Sequence, residues 1–322
     1  MKRKQLIILS ILVILVLIYV LARWQEPVEK EIRFFKADSV SLAKMVFVNQ
    51  EDTIIVEKKG KDWKLTYPVL WDASTDQINS FFKQVLPIQT SSTTMSDEPT
   101  MQSLYKVDAA NANQVKLYNK SGRLLDHAFI GNGGNSTFDY GRHEGSNKIY
   151  QLKDNIANLV KPDIYQWRSP NITNLRLNDL DHIDVSYTKN SYSLTIEQDS
   201  IRYRDKYNNF LIPQNNRAQW KIINALENLS TYQFIDQNTE KYLPAFQKPD
   251  CTIKVYLKDK TCKTFTLTRE EKAITPIGTK SIDKEVTVLM MIDGKTSPLY
   301  QMTGDFINRF TRAPQHFQVE FD

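Results

Sequence analysis

The feature that most limits the fold of this chain is a pattern of apolar runs that occurs twice in the same order. In the first copy, Met45–Val48 and Thr53–Val56 are short strand-like runs, followed by Trp63-Lys64-Leu65. Ile78, Phe81, Phe82 and Val85 then fall at i, i+3, i+4 and i+7, the spacing of one helix face. Gln114–Tyr118 and Leu124–Ile130 flank a Lys120-Ser121-Gly122 turn, and Thr137–Arg142 and Lys148–Leu152 follow as strands. A short helix is expected over Asp154–Val160, ending before Pro162, and Ile164-Tyr165-Gln166-Trp167 closes the copy.

The second copy starts near Leu177, with Ile183 and Val185 in one run and Tyr192–Ile196 in the next. Its helix face is Ile222, Ala225, Leu226 and Leu229. Thr252–Tyr256 answers Gln114–Tyr118, and Leu299–Met302 answers Ile149–Leu152. Phe306 and Phe310 answer Ile156 and Val160, and Phe317 answers Trp167. Connections of a few residues cannot make parallel crossovers, so the strands are expected to be mainly antiparallel. A meander with one apolar face needs a cover, which an amphipathic helix supplies. The expected class is α+β: two tandem copies of an antiparallel β-meander/helix unit, at residues 39–173 and 174–322.

An N-terminal transmembrane helix is expected ahead of them. Leu6 to Ala22 contains no charge, and only Ser10 and Tyr19 are polar. As a helix it would rise about 26 Å, close to the ~30 Å hydrocarbon core. Lys2, Arg3 and Lys4 precede it, which favours a cytoplasmic N-terminus. Leu6, Ile14 and Leu21 stand for the bilayer-facing residues, and Trp24 for the interfacial aromatic. Residues 1–23 are thus read as tip and anchor, and 24–38 as a connector. A cleaved signal peptide competes, since Val20-Leu21-Ala22 suits a peptidase; the run is, however, longer than the usual core of about 7–15 residues. Both readings place the bulk of the chain outside the cytoplasm.

Composition excludes some classes. The net charge is +5, but Lys2, Arg3, Lys4 and Arg23 flank the apolar run. Beyond them 38 basic residues (42 − 4) face 37 acidic ones, a balance with no electrostatic footprint for nucleic acid. The two cysteines, Cys251 and Cys262, fall on the strands of one hairpin; Cys262 is expected opposite Leu257, with Cys251 roughly 20 Å away along the strand. That is too far for a disulfide, so both are read as free, half-buried thiols.

No catalytic, cofactor or metal set emerges. Gly131-Asn132-Gly133-Gly134 follows a strand but leads to another strand, with no Lys-Ser or Lys-Thr pair, so it reads as a hairpin loop and not as a phosphate cradle. His127, His143, His182 and His316 lack ligand spacing. Asp97-Glu98 and Asp179/Asp181/Asp184 read as solvated carboxylates. Among the aromatics, Tyr150 and Trp167 have counterparts in Tyr300 and Phe317 and so belong to the core. Trp71 has none and is the candidate for surface binding of an envelope glycan or exported substrate.

Several stretches carry a resemblance. Trp63-Lys64-Leu65 with Pro68, the helix Gln77–Leu86, Leu104-Tyr105-Lys106-Val107, Phe129-Ile130-Gly131, Tyr140-Gly141-Arg142 and Lys148–Leu152 resemble a bacterial domain-of-unknown-function family, numbered 4340. The second copy lacks the glycine-rich loop and the Tyr-Gly-Arg stretch. The resemblance implies one membrane helix, an exported repeated region and no known activity. It also implies company with ABC-type transport systems of the gliding-motility kind. The expected partners are therefore the lipid bilayer and a membrane protein, an ABC-type permease or auxiliary subunit. The expected role is that of a non-enzymatic accessory or scaffold.

Overall fold

A computed structural model describes residues 11–19, 30–134, 137–173, 175–188, 190–197, 200–212, 217–270, 283 and 285–318. The chain divides into two compact units, Met1–Ser169 and Pro170–Asp322.

In the first unit the strands are β1 (Glu31–Arg33), β2 (Leu42–Val48), β3 (Thr53–Lys59), β4 (Asp62–Tyr67), β5 (Trp71–Asp72), β6 (Gln89–Ser91), β7 (Asn113–Asn119), β8 (Leu124–Gly131), β9 (Tyr140–His143) and β10 (Ile149–Gln151). Eight of them form one sheet in the order β10-β9-β8-β7-β2-β3-β4-β5, and β1 pairs with β6 apart from it. The alternation of apolar residues explains its inner face. Met45 and Phe47 of β2, Ile54 and Val56 of β3, and Val115 and Leu117 of β7 are all buried on one core. The helix Thr75–Ser80, capped by the Ser74 side chain on the Gln77 N–H, continues as a π-turn through Phe81–Val85. It lays Ile78, Phe81 and Val85 into that core, where Trp167 stacks on Phe47 at 4.1 Å between ring centres. A second, smaller core of Val107, Ala112, Phe129 and Ile149 is separate from the first.

The second unit contains β11 (Leu180–Tyr187), β12 (Asn190–Ile196), β13 (Ile201–Asp205), β14 (Asn209–Ile212), β15 (Gln233–Ile235), β16 (Cys251–Leu257), β17 (Cys262–Arg269), β18 (Thr287–Ile292) and β19 (Lys295–Thr303). Their order is β14-β13-β12-β11-β16-β17-β18-β19-β15. In each sheet the first long strand joins two meanders by pairing with the leading strand of the second, β2 with β7 and β11 with β16. The registers agree at an offset of 138: Leu42 faces Asn119 and Leu180 faces Leu257. The irregularity beside that pair also recurs, between Leu42 and Lys44 and between Leu180 and His182. The helix Arg217–Glu227 buries Ile222, Ala225 and Leu226, and the helix Gly304–Phe310 buries Phe306, Ile307 and Phe310.

These findings correct the expected fold class. Among the described residues the chain is mainly β, 41% strand against 22% helix, in three antiparallel sheets. The α+β reading treated each meander as a separate layer under its own helix; pairing of β2 with β7 and of β11 with β16 fuses the meanders instead. The N-terminal transmembrane helix expected over Leu6–Ala22 lies largely outside the described residues. Among the described residues no helix is long and apolar enough to cross a membrane. The described part of the apolar run, 11–19, is helical.

Smaller corrections follow from local bonding. Residues 154–160 contain turns and no helix, and the strand expected from Thr137 begins at Tyr140. Cys262 faces Tyr256, one residue from the expected partner, because Leu257 closes the turn on Thr261. Both cysteines are free; Cys251 is buried and Cys262 exposed.

Candidate functional site

Some of the residues that carried the family resemblance, Tyr105, Val107, Phe129, Gly131, Tyr140 and Arg142, meet at the β8–β9 end of the first unit. Gly131 ends β8 hard against the loop that precedes β7. A Cβ there would stand 2.3 Å from the Tyr105 carbonyl oxygen and 2.6 Å from that of Lys106, so only glycine fits. The Tyr105 ring meets Tyr140 edge-on at 4.6 Å. Arg142 points inward: its Nε donates to the Val107 carbonyl at 3.0 Å and Nη1 to the Ser146 carbonyl at 3.0 Å. Its guanidinium lies 4.2 Å from the centre of the Phe129 ring. Burial draws its pKa below the ordinary arginine value.

The glycine-rich loop is held from within. Asp139 is fully buried. Its Oδ1 accepts the Gly133 N–H at 2.9 Å, and Oδ2 accepts those of Ile156 and Ala157 at 2.7 and 2.6 Å. The Gly133 N–H that a phosphate cradle would offer is thus engaged by the chain's own carboxyl group.

Asp126 and His143 form a second buried contact. Alternation along β8 puts Asp126 on the same face as Ala128 and Ile130. Its Oδ1 lies 3.0 Å from His143 Nδ1, and its Oδ2 accepts the Lys36 N–H at 2.7 Å. His143 Nε2 is 3.1 Å from the Phe34 carbonyl oxygen, and the two rings stack at 4.3 Å. Both nitrogens therefore face oxygen atoms of the chain itself. Burial would raise the Asp126 pKa, but the bonds from His143 and from the backbone N–H groups of Lys36 and Ala37 outweigh it and hold the carboxyl below its usual range. An aspartate–histidine pair is part of a hydrolytic triad only if the other ring nitrogen reaches a nucleophile. Here that nitrogen reaches a backbone carbonyl, so the pair clasps the Phe34–Ala37 segment.

His127 and His182 have partners of their own. His127 Nε2 is 3.4 Å from Gln114 Oε1, and burial together with Lys116 lowers its pKa. His182 Nδ1 is 2.7 Å from Asp181 Oδ2, and its ring stacks on Tyr256. Among the described residues no group of three His, Cys, Asp or Glu could hold a metal ion.

Trp71, expected at a binding surface, is half-buried against the main core. Its indole N–H donates to the Ser169 carbonyl at 3.0 Å, and the Arg168 guanidinium sits 4.7 Å from its ring centre. Of the expected bilayer residues, Ile14 is 55% exposed on the helical stretch 11–19. Leu6, Leu21 and Trp24 lie outside the described residues. Sequence reasoning missed Asp126 and Asp139. Period-2 alternation was the available signal for Asp126, since it places a carboxyl on the apolar face of β8.

Fold and site together define a two-unit, mainly antiparallel β protein whose buried polar groups bind its own loops. The chain belongs to the family described as Domain of unknown function (DUF4340), whose profile matches residues 63–249, more than half of the chain. No curated protein and no solved structure matches it.

Proposed function

We propose that this protein is a non-enzymatic accessory or scaffold component of an envelope complex, acting on the outer side of the bacterial inner membrane. Its partner in this reading is a membrane protein, an ABC-type permease or auxiliary subunit. The observation that carries the proposal is the outer edge of β14. Among the described residues β14 pairs with β13 alone. Leu211 on that strand is 50% exposed, and Tyr207 just before it is 82% exposed. An unpaired strand edge offers backbone groups to an extended segment of another protein. The basic cluster Lys2-Arg3-Lys4 ahead of the uncharged run Leu6–Ala22 supports a membrane location. The Asp126–His143 pair supports the non-enzymatic reading, because its outer nitrogen is occupied.

Capture of the tagged full chain from gently solubilised, crosslinked membranes tests this. Permease and auxiliary subunits should co-purify in comparable amounts. Leu211→Lys, a charge on the edge, should reduce their recovery without altering the circular dichroism of the chain. Recovery of the wild-type chain alone after crosslinking would overturn the reading.

A further inference from the structure

In the first unit a cleft of about 240 Å³ opens between the β2–β3 loop, the end of β4 and the segment leading into the short helix Ile164–Trp167. Tyr67, Pro68, Pro162 and Ile164 supply apolar lining, and Glu51 and Asp52, both exposed, line it as well. Tyr67 is 50% exposed, so its ring is open to an incoming group.

The charge lining the cleft is of one sign. Glu51 and Asp52 are in the lining, and among the described residues no Lys or Arg joins them there. Their backbone N–H groups bond to Asn49 Oδ1 at 2.9 and 2.8 Å, and among the described residues neither carboxyl group pairs with a cation. Lys161 and Asp163 flank Pro162 with one charge of each sign and leave that balance unchanged. The loop does not need these carboxyl groups in order to close. In the second unit the corresponding hairpin closes between Tyr187 and Asn190, and the sequence between them, Thr188-Lys189, contains none. In the first unit Val48 pairs with Thr53, and the longer stretch from Asn49 to Asp52 brings both to the cleft. Exposed apolar residues adjoin it. Leu70 stands two positions past Pro68 and Tyr165 follows Ile164, and both are exposed. Apolar surface grouped beside a cleft marks a site for a protein segment more than for a free small molecule.

We propose that this cleft receives an arginine side chain from an extended segment of a partner protein, with the guanidinium at Glu51 and Asp52 and the aliphatic stem against Tyr67 and Pro162. Charge complementarity selects a cation. A guanidinium suits the site better than an ammonium, because its planar fork bonds carboxylates in pairs and its face stacks on an aromatic ring. The cleft lies just below the range of about 300–1,000 Å³ typical of pockets for whole ligands, so it suits a single side chain. Leu70 and Tyr165 take the apolar neighbours of that arginine. The cleft belongs to the first unit and the β14 edge to the second, so the two readings are tested apart.

The test uses the full chain and a fluorescent peptide with one arginine between two leucines, read by polarisation. The expected result is binding that weakens about fivefold in Glu51→Gln and again when Asp52→Asn is added, since each removes a charge-assisted contact. Tyr67→Ala should weaken it too, and so should added salt. A peptide with citrulline in place of arginine, which keeps the shape and removes the charge, should bind at least about fivefold more weakly. Asp97→Asn, exposed and outside the lining, should leave binding unchanged, and circular dichroism should be the same for all variants. No binding of the arginine peptide, equal binding of the citrulline peptide, or binding that the double variant retains or Asp97→Asn equally weakens, overturns the proposal.

Discussion

His143 Nδ1 lies 3.0 Å from Asp126 Oδ1, joining the end of β9 to the middle of β8. The contact also fixes a third segment, because His143 and Asp126 each bond to the backbone of Phe34–Lys36. Asp126→Asn should therefore destabilise the first unit by about 2–3 kcal/mol, the cost of removing a mostly buried carboxylate that accepts hydrogen bonds from His143 and the backbone. The pH dependence follows from the direction of the shift. The Asp126 pKa is depressed in the folded chain, against about 3.9 unfolded. Its contribution is complete above the unfolded value and is lost as pH falls through the folded one. Urea midpoints should differ strongly between wild type and Asp126→Asn at pH 5, and the gap should narrow at about pH 3, below the unfolded value. An equal gap at both pH values would show that the carboxyl acts by shape alone.

Asp139 is the more severe case. Its two oxygens take three backbone N–H groups, all in a buried site. Asp139→Ala leaves those donors unmet and should cost about 3 kcal/mol or more. Thermal unfolding should fall accordingly, and amide exchange should quicken at Gly133, Ile156 and Ala157 before it does on β2 or β7. Unchanged exchange at those three amides would contradict the assigned bonds.

Glycines in this chain separate into two kinds. At Gly131 an added methyl group meets backbone carbonyls at 2.3 and 2.6 Å, whereas at Gly122, with φ +80°, it meets open space. Gly131→Ala should cost about 1–3 kcal/mol through overpacking that the backbone cannot relieve. Gly122→Ala should cost about 1–2 kcal/mol through left-handed backbone strain alone. Since the two costs overlap, the discriminating measurement is nuclear magnetic resonance: Gly131→Ala shifts Tyr105 and Tyr140 resonances, and Gly122→Ala leaves them in place.

Local periodicity made much of this legible. Met45/Phe47 and Ile54/Val56 announce inward faces by alternation, and Ile78, Phe81 and Val85 announce a helix by spacing. Pairings across long stretches of chain leave no such trace. The β2–β7 ladder sets Phe47 against Val115, and that one contact turns separate meanders into a single sheet. The Phe34–His143 bond spans 109 positions and is equally silent in sequence. Ile156 and Val160 do stand at helical spacing. Yet the Asp139 carboxyl draws the N–H groups of Ile156 and Ala157 toward itself, and a turn forms where periodicity alone predicts a helix. Trp71 looked unassigned because its acceptor, the Ser169 carbonyl, lies 98 residues away.

The cysteines give a direct reading of the second sheet. Cys251 faces Leu267 on β17 and is buried, and burial pushes its thiol well above the usual range. Cys262 begins the neighbouring strand and is exposed. The reactive species is the thiolate, so both access and ionisation disfavour Cys251. A disulfide-exchange reagent should titrate one thiol per chain rapidly under native conditions. Cys262→Ser should abolish that phase. The second thiol should react only as fast as the unit opens, accelerating with urea in step with the loss of its circular dichroism. Two rapid equivalents would mean that β16 is not held between β11 and β17, and the register that joins the two meanders of the second unit would have to be redrawn.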